Sequence, residues 1–114
     1  MSATAKIKMV RITPRKVRTV ADEVRGKDVQ AAIDFLTFCR RRPARPLLKL
    51  IKSAVSNADQ KGGMDLDNLF VSELLVDKGP TMKRWMPRAR GMATPVLKRT
   101  SRVSIRLDER QTGA

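Results

Sequence analysis

KGPTMKRWMPRARGMATPVLKR, residues 78–99, is the stretch on which the fold turns. It carries Lys78, Lys83, Arg84, Arg88, Arg90, Lys98 and Arg99 and no acid, and the acid-free run continues to Leu107. Pro80, Pro87, Gly91 and Pro95 punctuate it, and its apolar residues keep no regular period, so it cannot supply much core. A structureless loop of this length is uncommon in a compact domain unless it is functional or disordered. Disorder would fit the charge and the prolines. An extended β-hairpin fits better, because strand candidates flank the stretch on both sides. Residues 68–77 hold Leu69, Phe70, Val71, Leu74, Leu75 and Val76. Across residues 100–108, Val103, Ile105 and Leu107 alternate with Arg102, Ser104 and Arg106, one face apolar and one basic. Strands on either side of a hairpin are natural antiparallel neighbours. Each limb would run for about eleven residues, a reach of roughly 35 Å at ~3.3 Å per residue. The turn falls near Pro87–Gly91, with Arg88 and Arg90 at the tip. Trp85, the only Trp, sits within the arm, where it either stacks on an unpaired base or packs across the hairpin onto Met82, Met86 or Met92.

Working outward, residues 5–12 read as a third strand, Ile7 and Met9 alternating with Lys6 and Lys8. Thr13-Pro14 is a helix start, with Thr as N-cap and Pro at the first helical position. Val17, Val20, Ala21 and Val24 then form one stripe, and Gly26 is a C-terminal cap candidate. Asp28 caps a second helix with a stripe of Val29, Ala32, Ile33 and Leu36. Arg40–Arg42 suit its C-terminal dipole, and Pro43 stops it. In a third helix, about residues 44–60, Leu47, Ile51, Ala54, Val55 and Ala58 share one side. Arg45, Lys49, Lys52 and Ser56 fall opposite, a basic ridge uninterrupted by acid across residues 40–58, which suits phosphate contact. Asp65 and Asp67, beside Gly62-Gly63, read as a solvated turn rather than a cation site, and residues 111–114 as a frayed tail. The sum is an α+β chain: three antiparallel strands, three helices, and a long protruding β-hairpin. It forms one domain over residues 1–114, with residues 78–101 as its basic arm.

The charge of the whole chain points the same way. Twenty-five Lys and Arg face 11 acids, a formal net charge of +14, which repels itself in the compact state. A polyanion relieves that repulsion, and nucleic acid leads the candidates. There is no His, so the commonest general base and metal ligand is missing, and no carboxylates cluster. The pattern therefore implies neither enzyme nor cofactor nor metal. Cys39, the lone cysteine, permits no intrachain disulfide and reads as a small buried hydrophobe beside Phe35, Leu36 and Phe38. No apolar run suggests a signal peptide or a membrane span, so the expected setting is cytoplasmic with no membrane partner.

Ordered motifs add a resemblance. Arg11-Ile12-Thr13-Pro14-Arg15-Lys16-Val17-Arg18 is followed by Val24-Arg25-Gly26-Lys27, then Ser53-Ala54 with Asn57-Ala58, then Val71-Ser72-Glu73. Val76-Asp77, Gly79-Pro80-Thr81-Met82-Lys83-Arg84, Pro87-Arg88-Ala89-Arg90-Gly91 and Lys98-Arg99-Thr100-Ser101 come after in order. This set resembles the bacterial branch of the large-ribosomal-subunit protein twenty-two family over about residues 5–108. The resemblance implies a structural constituent of the large subunit that binds 23S-type ribosomal RNA, supports assembly, touches neighbouring large-subunit proteins and is no enzyme. It implies that the hairpin reaches the exit tunnel and meets the nascent polypeptide. Carried onto this chain, the tunnel-lining tip is Pro87, Arg88, Ala89, Arg90, Gly91 and Met92, with Thr81 to Arg84 along the arm. The ribosomal RNA contacts are expected at Arg11, Arg15, Lys16, Arg18, Arg25, Lys27, Arg45, Lys49, Lys52, Lys78, Lys83, Arg84, Trp85, Lys98, Arg99, Ser101 and Arg102. Two positions depart from the family: Arg102 stands where His is usual, and Met92 where many members carry Arg.

Other basic classes fit less well. The first two helices and their short Gly-containing link superficially suit a DNA-binding helix-turn-helix, but the second helix carries Asp28 and Asp34 and no base before Arg40. A membrane-active helix is opposed by Pro80, Pro87 and Pro95.

Overall fold

The computed structural model describes residues 2–87, 91 and 93–110. Strand β1 (Ser2–Val10) leads into helices α1 (Pro14–Val24), α2 (Val29–Phe38) and α3 (Ala44–Lys61). A short 3-10 turn (Leu66–Asn68) precedes strands β2 (Leu69–Lys78), β3 (Met82–Pro87), β4 (Ala93–Lys98) and β5 (Ser101–Glu109). Strands β1, β5 and β2 lie antiparallel in that order, and β3 pairs with β4 in a separate two-stranded ribbon. The expected α+β architecture is therefore present. Its radius of gyration is 17.6 Å and its extents are 72 × 26 × 18 Å. A compact chain of this length would have a radius near 13 Å, so the molecule is elongated, as a body with a projecting arm must be.

The helices cover one face of the sheet. Val17, Val20, Ala21 and Val24 of α1, Val29, Ala32 and Leu36 of α2, and Leu47, Leu50, Ile51, Ala54 and Ala58 of α3 are buried together with Val103, Ile105 and Leu107 of β5. Apart from Leu50, these belong to the stripes that the helical and two-residue periods pick out, while Ile33 and Val55 of those stripes are only partly buried. Thr13 and Asp28 stand at the N-caps of α1 and α2 as expected, although neither makes a side-chain cap bond. Cys39 is half-buried against the core.

Two register shifts move residues from the faces that simple alternation assigns. In β1 the pairing with β5 slips between Ile7 and Val10, so Met9 is 43% exposed while Val10 is buried. The expected strand 5–12 also shifts: β1 ends at Val10, and Arg11 and Ile12 form a bend. In β2 the slip falls between Val71 and Glu73. Buried positions change parity across it, from Leu69 and Val71 to Leu74 and Val76, which leaves Leu75 47% exposed. One inserted residue flips every side chain beyond it.

Both open edges of the sheet are capped by side chains from the helices. Arg18 donates to the Val76 carbonyl at 2.9 and 3.3 Å, and Arg25 to the Leu74 carbonyl at 2.7 and 3.1 Å, along β2. Farther along the same edge, Gly26 and Lys27 exchange backbone hydrogen bonds with Val71. On the β1 edge, Asn57 donates to the Thr4 carbonyl at 2.8 Å and Lys61 to that of Ser2 at 2.6 Å. Unpaired strand edges invite aggregation, and these contacts cover them.

Candidate nucleic-acid interface

The ladder between β2 and β5 runs to Lys78 opposite Ser101, and the β3/β4 ladder begins at Met82 opposite Lys98. Residues 79–81 thus face residues 99 and 100 at a shoulder where the hairpin leaves the body. Gly79 donates to the Thr100 carbonyl at 2.9 Å, and the Thr100 hydroxyl donates to the Pro80 carbonyl. Thr100 and Ser101 are both buried there. Ser101, expected on the RNA face, is instead internal: its hydroxyl donates to the Ile12 carbonyl and locks the bend after β1 to the hairpin base.

Beyond the shoulder, β3 and β4 pair in register from Met82–Lys98 to Pro87–Ala93. The strands of the predicted hairpin are present, paired as far as Pro87 and Ala93, and Gly91 adopts φ 71°, a left-handed backbone that glycine takes without a Cβ clash. Arg88, Ala89, Arg90 and Met92 of the expected tip lie outside the described residues, as do residues 111–114 and the side chains of Arg84 and Trp85. Lys83, Lys98 and Arg99 are exposed along the arm.

At the shoulder, Thr13, Pro14, Arg15, Arg18, Lys78 and Arg99 line a cleft of about 310 Å³. It joins the N-terminus of α1, where Pro14 occupies the first turn and no acid is present, to the base of the hairpin. Helix N-termini carry partial positive charge and free N–H groups, so α1 adds to the field of four cations. Arg18 is anchored by its carbonyl bonds, while Arg15, Lys78 and Arg99 have no acid partner among the described residues. A phosphate entering this cleft would meet donors from both elements.

A second basic surface follows α3. Arg45, Lys49, Lys52 and Ser56 are exposed on the side opposite the buried stripe. Arg11, Arg42 and Arg45 converge around Val10, Ile12 and Pro46. By sequence Arg45 belongs here and Arg42 suits the C-terminal dipole of the second helix, but α2 ends at Phe38 with no basic residue in its last turn. Arg42 lies within the acid-free run of residues 40–58 that marks this surface. Lys16 and Arg102 are exposed elsewhere on the body. Arg25 is occupied by Leu74 and by an ion pair with Asp22, and Lys27 lies 4.5 Å from the Phe35 ring centroid. The charge of these two, and of Arg18, is spent largely within the fold.

Three acids are paired at the other end of the sheet. Arg110 pairs with Asp28, and Arg106 with Asp108 at 3.3 Å and Glu73 at 3.7 Å, near the end of the sheet where Leu69 meets Glu109. Asp65 accepts from the Asp67 backbone at 3.1 Å and the Asn68 amide at 2.7 Å, the turn role expected of it. Among the described residues no group of three or more His, Cys, Asp or Glu could hold a metal, and no helix is long and apolar enough to cross a membrane. Ion pairs of Arg106 and Arg110 thus gather at one end of the sheet, while Arg15, Lys78 and Arg99 at the shoulder have no acid partner among the described residues.

Known proteins match nearly the whole length of this chain. The profile of the ribosomal protein L22p/L17e family matches residues 5–108. This chain belongs to that family. Similar members are the large ribosomal subunit protein uL22 of Myxococcus xanthus, 50% identical over 111 residues covering 96% of this chain and 97% of the relative; that of Trichlorobacter lovleyi, 49% over 112 residues covering 98% and 99%; and that of Mesoplasma florum, 53% over 105 residues covering 92% and 94%. The L22p/L17e match spans β1 to β5, so it takes in the sheet, the helices and the arm together.

Proposed function

We propose that this L22p/L17e member is a structural constituent of the large ribosomal subunit in the cytoplasm, that it binds large-subunit ribosomal RNA and supports subunit assembly, and that it is not an enzyme. The observation that carries the RNA contact is the segregation of charge: Arg15, Lys78 and Arg99, none with an acid partner among the described residues, meet Arg18 at the shoulder, a second basic surface follows α3, and Arg106 and Arg110 pair with acids at the other end of the sheet. In this reading Arg11, Arg15, Lys16, Arg45, Lys49, Lys52, Lys78, Lys83, Arg84, Lys98, Arg99 and Arg102 meet phosphates. Trp85 stacks on a base. The chain acts as one domain with residues 78–101 as its arm. The tip, Pro87 to Met92, lines the exit tunnel and faces the nascent polypeptide, and the body touches neighbouring large-subunit proteins. No membrane contact is needed.

The test has two arms. The chain should co-sediment with large subunits after a high-salt wash, and its absence from them would refute the reading. Replacing Lys83, Arg84, Lys98 and Arg99 with Ser should impair incorporation, whereas replacing Arg88 and Arg90 should spare incorporation and alter nascent-chain passage. Equal assembly defects from both sets would refute the division between arm and tip. On isolated RNA, neutralising ~6–10 phosphates predicts a ~10²–10⁵-fold loss of affinity for a fourfold rise in salt.

A further inference from the structure

Phe38 is the last residue of α2, and its side chain is 84% exposed, the most of the large hydrophobics so described. No packing within the body accounts for it. The chain passes from Phe38 through Cys39 into Arg40, Arg41 and Arg42, all three of them exposed, before α3 begins. Phe38, Cys39, Arg41, Arg45 and Leu48 are among the residues lining an open groove of about 750 Å³ there. That groove shares Arg42 and Arg45 with the one containing Arg11, so it is continuous with the basic surface along α3. Arg40 and Arg41 also border a groove against α1, and Glu23 is the one carboxylate that lines that groove. Among the described residues none of Arg40, Arg41, Arg42 and Arg45 has an acid partner.

We infer that Phe38 and the Arg40–Arg42 and Arg45 guanidiniums form a clamp for an unpaired nucleobase of single-stranded RNA, the ring stacking on the base and the arginines taking the flanking phosphates. The inference rests on the ribosomal-RNA reading above and names the kind of RNA met at this place. A planar apolar face set among uncompensated guanidiniums asks for a partner that is both aromatic and anionic. Unpaired nucleotides are both, since every base has a π-face and every linkage a charge. The inside of an A-form duplex hides its base faces, so a loop or bulge is the form that fits. A protein partner would have to desolvate four guanidiniums to reach one phenyl ring, at heavy cost unless each were paired.

The experiment uses the full chain and a large-subunit ribosomal RNA transcript, with affinities measured by filter binding over a salt series. Phe38→Ala should weaken binding by roughly 5- to 150-fold, the range for loss of one base stack, with the salt slope unchanged. Phe38→Leu, which keeps apolar area but no π-face, should lose as much, and Phe38→Trp should bind like the wild type. Replacing Arg40, Arg41 and Arg42 with Ser should reduce the log–log salt slope by about 2. The exposure of all four side chains means that these variants keep the fold. Wild-type affinity in Phe38→Ala or in Phe38→Leu would overturn the clamp while leaving the ribosomal reading intact. So would a defect confined to subunit incorporation with naked-RNA affinity unchanged, which would assign Phe38 to a protein neighbour. A wild-type chain that does not prefer the transcript over a length-matched control RNA would overturn both.

Discussion

Gly79 sits where the arm is fastened to the body, and replacing it with Ala tests the construction of that shoulder. A Cβ at this position would lie 2.7 Å from Thr100 Oγ1, 3.2 Å from the Ser101 carbonyl carbon and 3.3 Å from that of Thr100. The first contact can be relieved only by turning a threonine that is fully buried and whose hydroxyl donates to the Pro80 carbonyl. Losing that bond costs about 1 kcal/mol. The two backbone contacts remain and require the strands to part, an overpacking strain of about 1–3 kcal/mol. Ala returns ~0.4–1 kcal/mol by restricting the unfolded chain, so the net loss is about 1.5–3 kcal/mol. With an unfolding entropy of ~2.1 cal/mol/K per residue over this chain length, Tm should fall by about 6–12 °C in a calorimetric or circular-dichroism melt. Thr100→Ala removes the hydroxyl that the new methyl meets. The double variant should therefore be more stable than the two single losses summed. An unchanged or raised Tm in Gly79→Ala, or strict additivity in the pair, would show that the shoulder is not packed as described.

Three further outcomes follow from the same packing. Replacing residues 82–98 by Asn-Gly between Thr81 and Arg99 should leave a cooperative melt within a few degrees of the wild type, because the core cluster among the described residues draws on none of them; loss of the transition would make the arm part of the core. Leu74→Ala should cost about 2–5 kcal/mol in urea unfolding and Leu75→Ala less than about 1 kcal/mol, since 1% of Leu74 is exposed against 47% of Leu75; a reversed order would refute the register shift in β2. Arg18→Ala and Arg25→Ala should each destabilise the free protein by about 1–2 kcal/mol through the lost strand-edge bonds, while Lys49→Ala and Lys52→Ala leave Tm alone and weaken RNA binding; equal Tm effects across the four would remove the distinction between edge-capping and RNA-facing cations.

Periodicity made the body legible. A stripe such as Val17, Val20, Ala21 and Val24 can face only one way on a helix, and β5 alternates cleanly because it is the central strand, held in register on both sides. The outer strands were less legible for the same reason. β1 and β2 each have one neighbour, tolerate an inserted residue, and carry their bulges where no glycine or proline marks the place. Ile7 and Met9 look alike in a two-residue pattern, and only the slip before Val10 sends Met9 to solvent. The site was read from charge, and charge is a property of composition rather than of direction. Arg15 and Arg18 are three residues apart on α1, yet Arg15 lacks an acid partner among the described residues while Arg18 turns onto the Val76 carbonyl. Ser101 belongs to a basic motif by sequence and to the interior by structure. By sequence Phe38 is one of the apolar neighbours of Cys39; in the structure it is the last residue of α2 and exposed.

The placement of these charges also says why the arm can exist. A two-stranded ribbon on its own is marginal in water, and residues 78–99 carry no acid to oppose Lys98 and Arg99. The body lends it three things at the base: the ladder of β2 and β5, the Gly79–Thr100 bond, and the Ser101–Ile12 bond. Each fixes the root and none reaches the tip. Stability along the ribbon must then come from a partner whose charge is opposite and whose shape follows both strands. A polyphosphate backbone lying along the arm meets that demand, because each phosphate cancels repulsion between cations that the ladder holds together. An acid placed on the arm would stabilise the free hairpin and weaken that contact, so its absence trades order in the free chain for affinity in the bound one.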